Sequence, residues 1–403
     1  MKTLKQTYLK VIAALSAIIL AAGIILVCIF FCTQDEITHY INLPFYSLPE
    51  ENALIVDDGA DYLGQPDMIK TKTGKLITVY PLSHGKGALK MQYSYDGVNW
   101  IEQPTPASWE SSQEVPTLYT LDFTDGSQKL ILISGKPYWP GIKADGFQYS
   151  ISSDDGNTWS EFTTVYSPMD CIVAMSSLIQ LKVDGNYTNQ WLGTFHTHDF
   201  VNYKTILSFD ESGNAVWSQP QPILSEYRSI EKQNSLCEIE LLRAPNDTII
   251  MLTRNESRNG KTSMICYSYD ECQTWTQPQY LPADFSGDRF QALYDENSNK
   301  VVISYRQIVP FKENALSLKK FMTYGWVAWI GDFEDLLNYQ QGTNIGDCLL
   351  LLGSDTSGDC GYSGIVNFQN QILAIAYGNF NGYQIRLAKF DVSETSEFDK
   401  ILN

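Results

Sequence analysis

Beyond about residue 65 the chain is written in short runs that alternate apolar and polar residues. Residues 67–81 read DMIKTKTGKLITVYP, residues 115–135 VPTLYTLDFTDGSQKLILISG, and residues 237–254 CEIELLRAPNDTIIMLTR. A period of two buries one face of a strand, and two such runs around a polar turn predict a β-hairpin.

A short motif follows several of these hairpins. It is Ser152-Ser-Asp154-Asp-Gly156-Asn-Thr158-Trp159, again Ser268-Tyr-Asp270-Glu-Cys-Gln-Thr274-Trp275, in shorter form Ser94-Tyr-Asp96-Gly97-Val-Asn-Trp100, and loosely from Ser208 through Asp210 to Trp217. These look like Asp-boxes, and they recur at steps of about sixty residues. The same step reaches Asp332 and Asp391, where only Gly331-Asp-Phe and Phe390-Asp-Val survive. Six units follow, each a hairpin plus a strand pair carrying the motif, which predicts an all-β, six-bladed propeller. The motif itself is structural: Ser and Asp bond turn amides, Gly permits positive φ, and Trp packs between sheets.

Strands in a blade alternate direction, so an Asp-box at the end of the third strand lies at the bottom. The start of the inner strand and the end of the second strand then share the top. Those positions supply Gln65, Asp67, His84 and Lys86, then Glu114, Lys136 and Trp139, then Asp170, His196, His198 and Asp199. The later units supply Arg228, Glu238 and Arg254, then Asp288, Arg289 and Arg306, and finally Asp359, Tyr362, Tyr377 and Asn379. The chain has seven arginines and four histidines, so their gathering on this face marks a site. Arg228, Arg254, Arg289 and Arg306 suit a carboxylate held in bidentate fashion. His196 and His198 alternate on one strand, but with one certain acidic neighbour they fall short of a metal site, and no metal is expected.

The 403 residues exceed an ordinary single domain, yet one ring of sheets absorbs them. With 44% hydrophobic and 13% aromatic residues the chain is rich enough for a packed core. A net charge of -18 argues against nucleic acid and polyanionic surfaces as partners. Residues 11–32 form an uncharged apolar run after Lys2, Lys5 and Lys10 and before Asp35 and Glu36. That pattern predicts a single-pass anchor with a cytoplasmic N-terminus and an extracellular propeller, secreted instead if the segment is cleaved. The expected division is a basic segment 1–10, anchor 11–32, linker 33–50 and propeller 51–403. Six of the eight cysteines follow the anchor with no metal spacing; Cys266 and Cys272 are close enough to pair or to remain free. Asn186, Asn246 and Asn255 open glycosylation sequons.

Two stretches carry a resemblance to the sialidase superfamily over most of the chain beyond residue 50. Cys237-Glu238-Ile-Glu-Leu with Leu252-Thr-Arg254-Asn is similar to the family segment that places a Glu and a clamp Arg on successive strands. Gly361-Tyr362-Ser363 with Ala376-Tyr377-Gly378 is similar to the segment bearing the nucleophilic Tyr. The resemblance implies a retaining exo-glycosidase that releases a terminal sialic acid or related acidic sugar from glycans. Tyr362 would attack the anomeric carbon while Glu238 takes its proton. Arg254, with Arg289 and Arg306, would hold the sugar carboxylate.

The chain departs from the family pattern twice. Gln65 stands where an Arg opens the first blade, and the loop Ser83-His84-Gly85-Lys86-Gly87 lacks the family's acid/base Asp. Asp67, His84 or Asp199 then remain as proton donors. Arg228, Gln65, Lys86, Glu114, His196, His198, Asp199, Trp139 and Tyr377 are further candidates for substrate contact. No cofactor is implied, because hydrolysis needs only water. A noncatalytic carbohydrate-binding propeller, a lectin or adhesin, is the alternative, and a protein-binding scaffold is the third.

Overall fold

A computed structural model describes residues 10, 14–26, 45–48, 52–310, 321–343, 345, 348–353, 358–380, 382–392 and 400–401. The chain divides into two compact units, residues 1–44 with 402–403, and Phe45–Ile401. In the first, residues 14–26 are an exposed helix, and the rest of the expected anchor, 11–13 and 27–32, lies outside the described residues. Among the described residues no helix is long and apolar enough to cross a membrane, so the expected spanning helix is not shown.

The second unit is a six-bladed β-propeller. Its six sheets follow one another along the chain, and within each the strands meander antiparallel. The inner strands are Asp67–Lys70, Pro116–Asp122, Leu178–Val183, Leu236–Arg243, Gly287–Asp295 and Gly361–Phe368. The second strands are Leu76–Ser83, Gln128–Gly135, Asn186–His196, Ile249–Asn255, Lys300–Pro310 and Gln371–Asn379. The last blade takes its outer strand, Ala53–Asp57, from the front of the chain, where it pairs with Tyr383–Phe390. Phe45–Ser47 adds parallel to Cys348–Gly353 in the fifth blade, and Lys400–Ile401 pairs beyond it.

Alternation along each strand buries one face against the next blade. Ile69, Val79 and Met91 of the first blade meet Leu118, Leu130 and Leu132 of the second, with Trp159 packed at their edge. The Asp-boxes form the turns that the sequence predicts. Asp154 Oδ1 accepts the Thr158 amide at 2.9 Å and its Oδ2 the Thr158 hydroxyl at 2.6 Å, while Ser152 Oγ accepts the Gly156 amide at 2.9 Å. Asp270 holds Thr274 in the same way, at 2.9 and 2.6 Å. Gly156 has φ +73°, and a Cβ there would lie 2.3 Å from Ile77 Cδ1 of the first blade, so the turn needs glycine twice over. Asp332 departs from the motif and instead caps the helix Phe333–Leu337 in a capping box with Asp335.

Cys266 and Cys272 are free buried thiols, as are Cys171 and Cys237. Asn255 is only 5% exposed, and its amide donates to Asn234 Oδ1 and the Thr262 carbonyl, so the folded chain withholds this sequon from modification.

Candidate active site

Three inner strands begin with the same irregularity. Their pairing register slips between Cys237 and Glu240, between Asp288 and Gln291, and between Gly361 and Gly364. Inside each bulge one non-glycine residue has positive φ: Glu238 at +48°, Arg289 at +52° and Tyr362 at +50°. Such backbone is strained for an L residue by about 1–3 kcal/mol, and a bulge re-aims the side chain it carries. Asp67 and Thr117 sit in regular ladders of the first two blades and get no such redirection.

Glu238 and Tyr362 thereby reach one cavity of about 500 Å³. Tyr362 Oη donates to Glu238 Oε1 at 2.7 Å. Arg254, at the end of a second strand, sends Nη1 to that same carboxylate oxygen at 2.7 Å and to the phenol oxygen at 2.5 Å. Arg306 lies over the Tyr362 ring with Cζ 5.1 Å from its centroid. Burial pushes the Tyr362 phenol well above its usual pKa; Glu238 adds to that, while Arg254 and Arg306 oppose it. The phenol is therefore neutral at rest, beside a base and two cations.

The arginines are themselves held. Asp288 accepts Arg306 Nη2 at 2.7 Å and Arg258 Nη2 at 2.8 Å, and pairs with Arg254 Nε at 3.2 Å. Although Asp288 is buried, which raises a carboxyl, Arg254, Arg306 and Arg258 hold it below the ordinary range. Glu256 also engages Arg254 and Arg258. Tyr377 Oη donates to Asp359 Oδ1 at 2.5 Å and accepts from Gln65 Nε2 at 3.3 Å.

Of the candidates read from sequence, the cavity wall gathers Gln65, His84, Lys86, Glu114, Trp139, Glu238, Arg254, Arg306, Tyr362 and Tyr377. Six others lie off it. Asp67 is buried with its two oxygens on the amides of Met68 and Leu118, both at 2.8 Å, and burial pushes it up to about 6. Arg289 turns away from the cavity to the Ser176 carbonyl at 2.5 Å, because its bulge aims it at another blade. Arg228 pairs with Glu231 at 2.5 Å on a surface helix. His196 is buried against Phe200, His198 bonds Asp170 at 2.8 Å, and Asp199 accepts the Thr197 hydroxyl at 2.5 Å. At the mouth His84 Nδ1 is 2.6 Å from Tyr62 Oη.

Sequence reading missed Glu256 and Arg258, which follow the second strand of the fourth blade. Their signal was the four-residue spacing of Arg254 and Arg258 around an acidic residue. It also missed Gln113, Ile172 and Val173 on the cavity wall, which carry no charge to single them out.

A model of the BNR repeat-like domain matches residues 91–303, more than half of the chain. No curated protein sequence matches. Among solved structures, a protein of unknown function from Dyadobacter fermentans aligns at TM-score 0.61 with 17% identity, over 84% of this chain and 97% of that one. The intramolecular trans-sialidase of Ruminococcus gnavus, in complex with oseltamivir carboxylate, aligns at 0.52 with 11% identity, over 84% and 96%. The α-L-arabinanase of Penicillium chrysogenum, in complex with arabinobiose, aligns at 0.52 with 11% identity, over 88% and 98%. Repeat, blade count and family model agree: the chain belongs to the BNR repeat-like family and shares its propeller fold with the trans-sialidase and the arabinanase.

Proposed function

We propose that this protein is a retaining exo-glycosidase that removes a terminal acidic sugar, a sialic acid or a relative of it, from glycans. The observation that carries the reading is the phenol oxygen of Tyr362, 2.7 Å from Glu238 Oε1 and 2.5 Å from Arg254 Nη1, in the wall of a cavity of sugar size. Tyr362 attacks the anomeric carbon, its proton passes to Glu238, and Arg254 steadies the charge growing on the phenol oxygen. A neutral nucleophile suits an anomeric carbon that bears a carboxylate, because an anionic one would be repelled. Trp139, on the cavity wall, offers a face for the sugar.

A second reading, a neutral sugar cleaved by the same pair, is favoured by the ion pairs. Arg254 and Arg306 already face Glu238, Glu256, Asp288 and Asp359, and Gln65 adds no charge. Activity of the full chain on aryl sialosides beside aryl glycosides of neutral sugars decides between them. Turnover of the sialoside alone supports the acidic-sugar reading, and turnover of a neutral glycoside alone replaces it. Binding without turnover of any leaves a lectin.

The apolar run at 11–32 supports display outside the cell on an N-terminal tether. Protease treatment of intact cells expressing the chain tests this, and a fully protected propeller would sink it.

A further inference from the structure

Of the two carboxylates on the cavity wall, Glu114 is the one the mechanism above leaves unused. It opens the second blade's inner strand and is 6% exposed. Its Oε1 accepts the Val115 amide at 3.0 Å, while its Oε2 is buried with no hydrogen-bond partner. Among the described residues no cation pairs with it. A bare buried carboxylate oxygen is costly, and the cost is relieved either by a proton or by a ligand hydroxyl.

We propose that Glu114 is the acid that protonates the departing glycosidic oxygen and, in the second step, the base that activates water. This rests on the glycosidase reading above. Glu114 faces the first blade's loop, with Oε1 3.5 Å from where a Gly85 side chain would begin, so its carboxyl sits beside the mouth where a leaving group exits. The competing donors are placed otherwise. Asp67 is capped by two backbone amides off the cavity, Asp199 is spent on Thr197, and His84 is held by Tyr62 at the rim.

The charges around Glu114 favour the proton. Burial, the opposing Val115 amide, and the charges of Glu238 in the fourth blade and Asp170 in the third together raise it to about 7. His84 and Lys86 of the first blade and Arg254 and Arg306 also face the cavity, but Arg254 and Arg306 are engaged by carboxylates of their own. Glu238 carries Arg254 and Glu114 carries no cation, so the two carboxyls of one cavity stand in different surroundings, as an acid and a base require.

The step balances as follows. The glycosidic C–O bond breaks with its electrons passing to oxygen, which takes the Glu114 proton. The Tyr362 oxygen bonds the anomeric carbon, and its proton goes to Glu238. Water then attacks that carbon, gives a proton to Glu114, and the phenolate leaves with the proton from Glu238.

The test uses the full chain and two glycosides of whichever sugar the wild type cleaves, one with an activated aryl leaving group and one with an alkyl leaving group. For Glu114→Gln the expected result is a fall in kcat/KM of about 10²–10⁴-fold on the alkyl glycoside and near-wild-type kcat/KM on the activated one. The retained rate would itself report an intact fold. The wild type should show an alkaline limb with an apparent pKa near 7 in kcat/KM on the alkyl substrate and none on the activated one. That second measurement stands even if the variant does not fold. Equal losses on both substrates would make Glu114 a binding group, and no loss would make it a bystander; either overturns the proposal while the glycosidase reading survives. If the wild type cleaves neither substrate, both readings fall together.

Discussion

Tyr362 and Glu238 lie 124 residues apart in sequence and 2.7 Å apart in space, and each reaches the other from the positive-φ position of a bulge at the start of its own strand. Two blades thus use one backbone device to aim two different side chains at one point.

Removing either member of that pair is expected to stop turnover without unfolding the ring. Tyr362→Phe keeps the ring packed beneath Arg306, and Glu238→Gln keeps the shape of its side chain. Each should lower kcat by about 10²-fold or more. Initial rates on an activated aryl glycoside, beside a melting curve for each variant, check this; a variant retaining a tenth of wild-type kcat would refute the assigned roles.

Asp288 is expected to behave as a structural keystone. Three guanidinium groups converge on it, so Asp288→Asn leaves buried positive charge uncompensated and should cost about 3–5 kcal/mol. Its folded pKa is depressed, so the stabilisation is present above the ordinary carboxylate value and disappears as pH falls through the depressed one. Urea titrations between pH 2 and 6 measure it, and a variant as stable as wild type at pH 6 would contradict it.

The buried carboxyls Asp67, Glu114 and Glu240 push the pH dependence the other way. Burial raises them to about 6, 7 and 8. An acid raised by folding binds its proton more tightly in the native state, so its stabilisation is full below the unfolded pKa and is lost as pH rises through the folded one. Stability should therefore decline from about pH 4 to about pH 8. Glu240→Gln, which keeps an acceptor for the Ala292 amide, should flatten the upper part of that decline by up to about 1.4 kcal/mol per pH unit. Denaturation midpoints at unit pH intervals read this directly, and parallel profiles for the two proteins would oppose it.

An Asp-box can be damaged without touching chemistry. Asp154→Ala frees the Thr158 amide and hydroxyl and should cost about 1–2 kcal/mol, with kcat and KM unchanged. Rates below the melting range beside a urea curve check both halves of that statement.

The repeat, the blade count and the face opposite the Asp-boxes were legible because they rest on local chemistry: alternation, turn residues and chain direction. Tyr362, Glu238 and Arg254 were legible for the same reason, standing at strand ends beside short motifs. Arg289 misled because a bulge is invisible in composition. It occupies the same slot as Glu238 and Tyr362, yet it turns to the Ser176 carbonyl. Asp67 misled for the opposite reason, as a regular ladder leaves its carboxylate to backbone amides. The cluster around Asp288 was half hidden, since Glu256 and Arg258 sit in a loop whose path depends on the neighbouring blade.

The strand Ala53–Asp57 completes the last blade from the front of the chain. A chain emerging from the ribosome must therefore hold that segment unpaired until residues 383–390 have been made, so the ring cannot close before then. A cut or truncation ahead of residue 58 should release the last blade, which supplies Tyr362, while leaving the middle of the ring assembled. The Tyr362–Glu238 pair thus spans a blade that needs the front segment to be complete and one that does not.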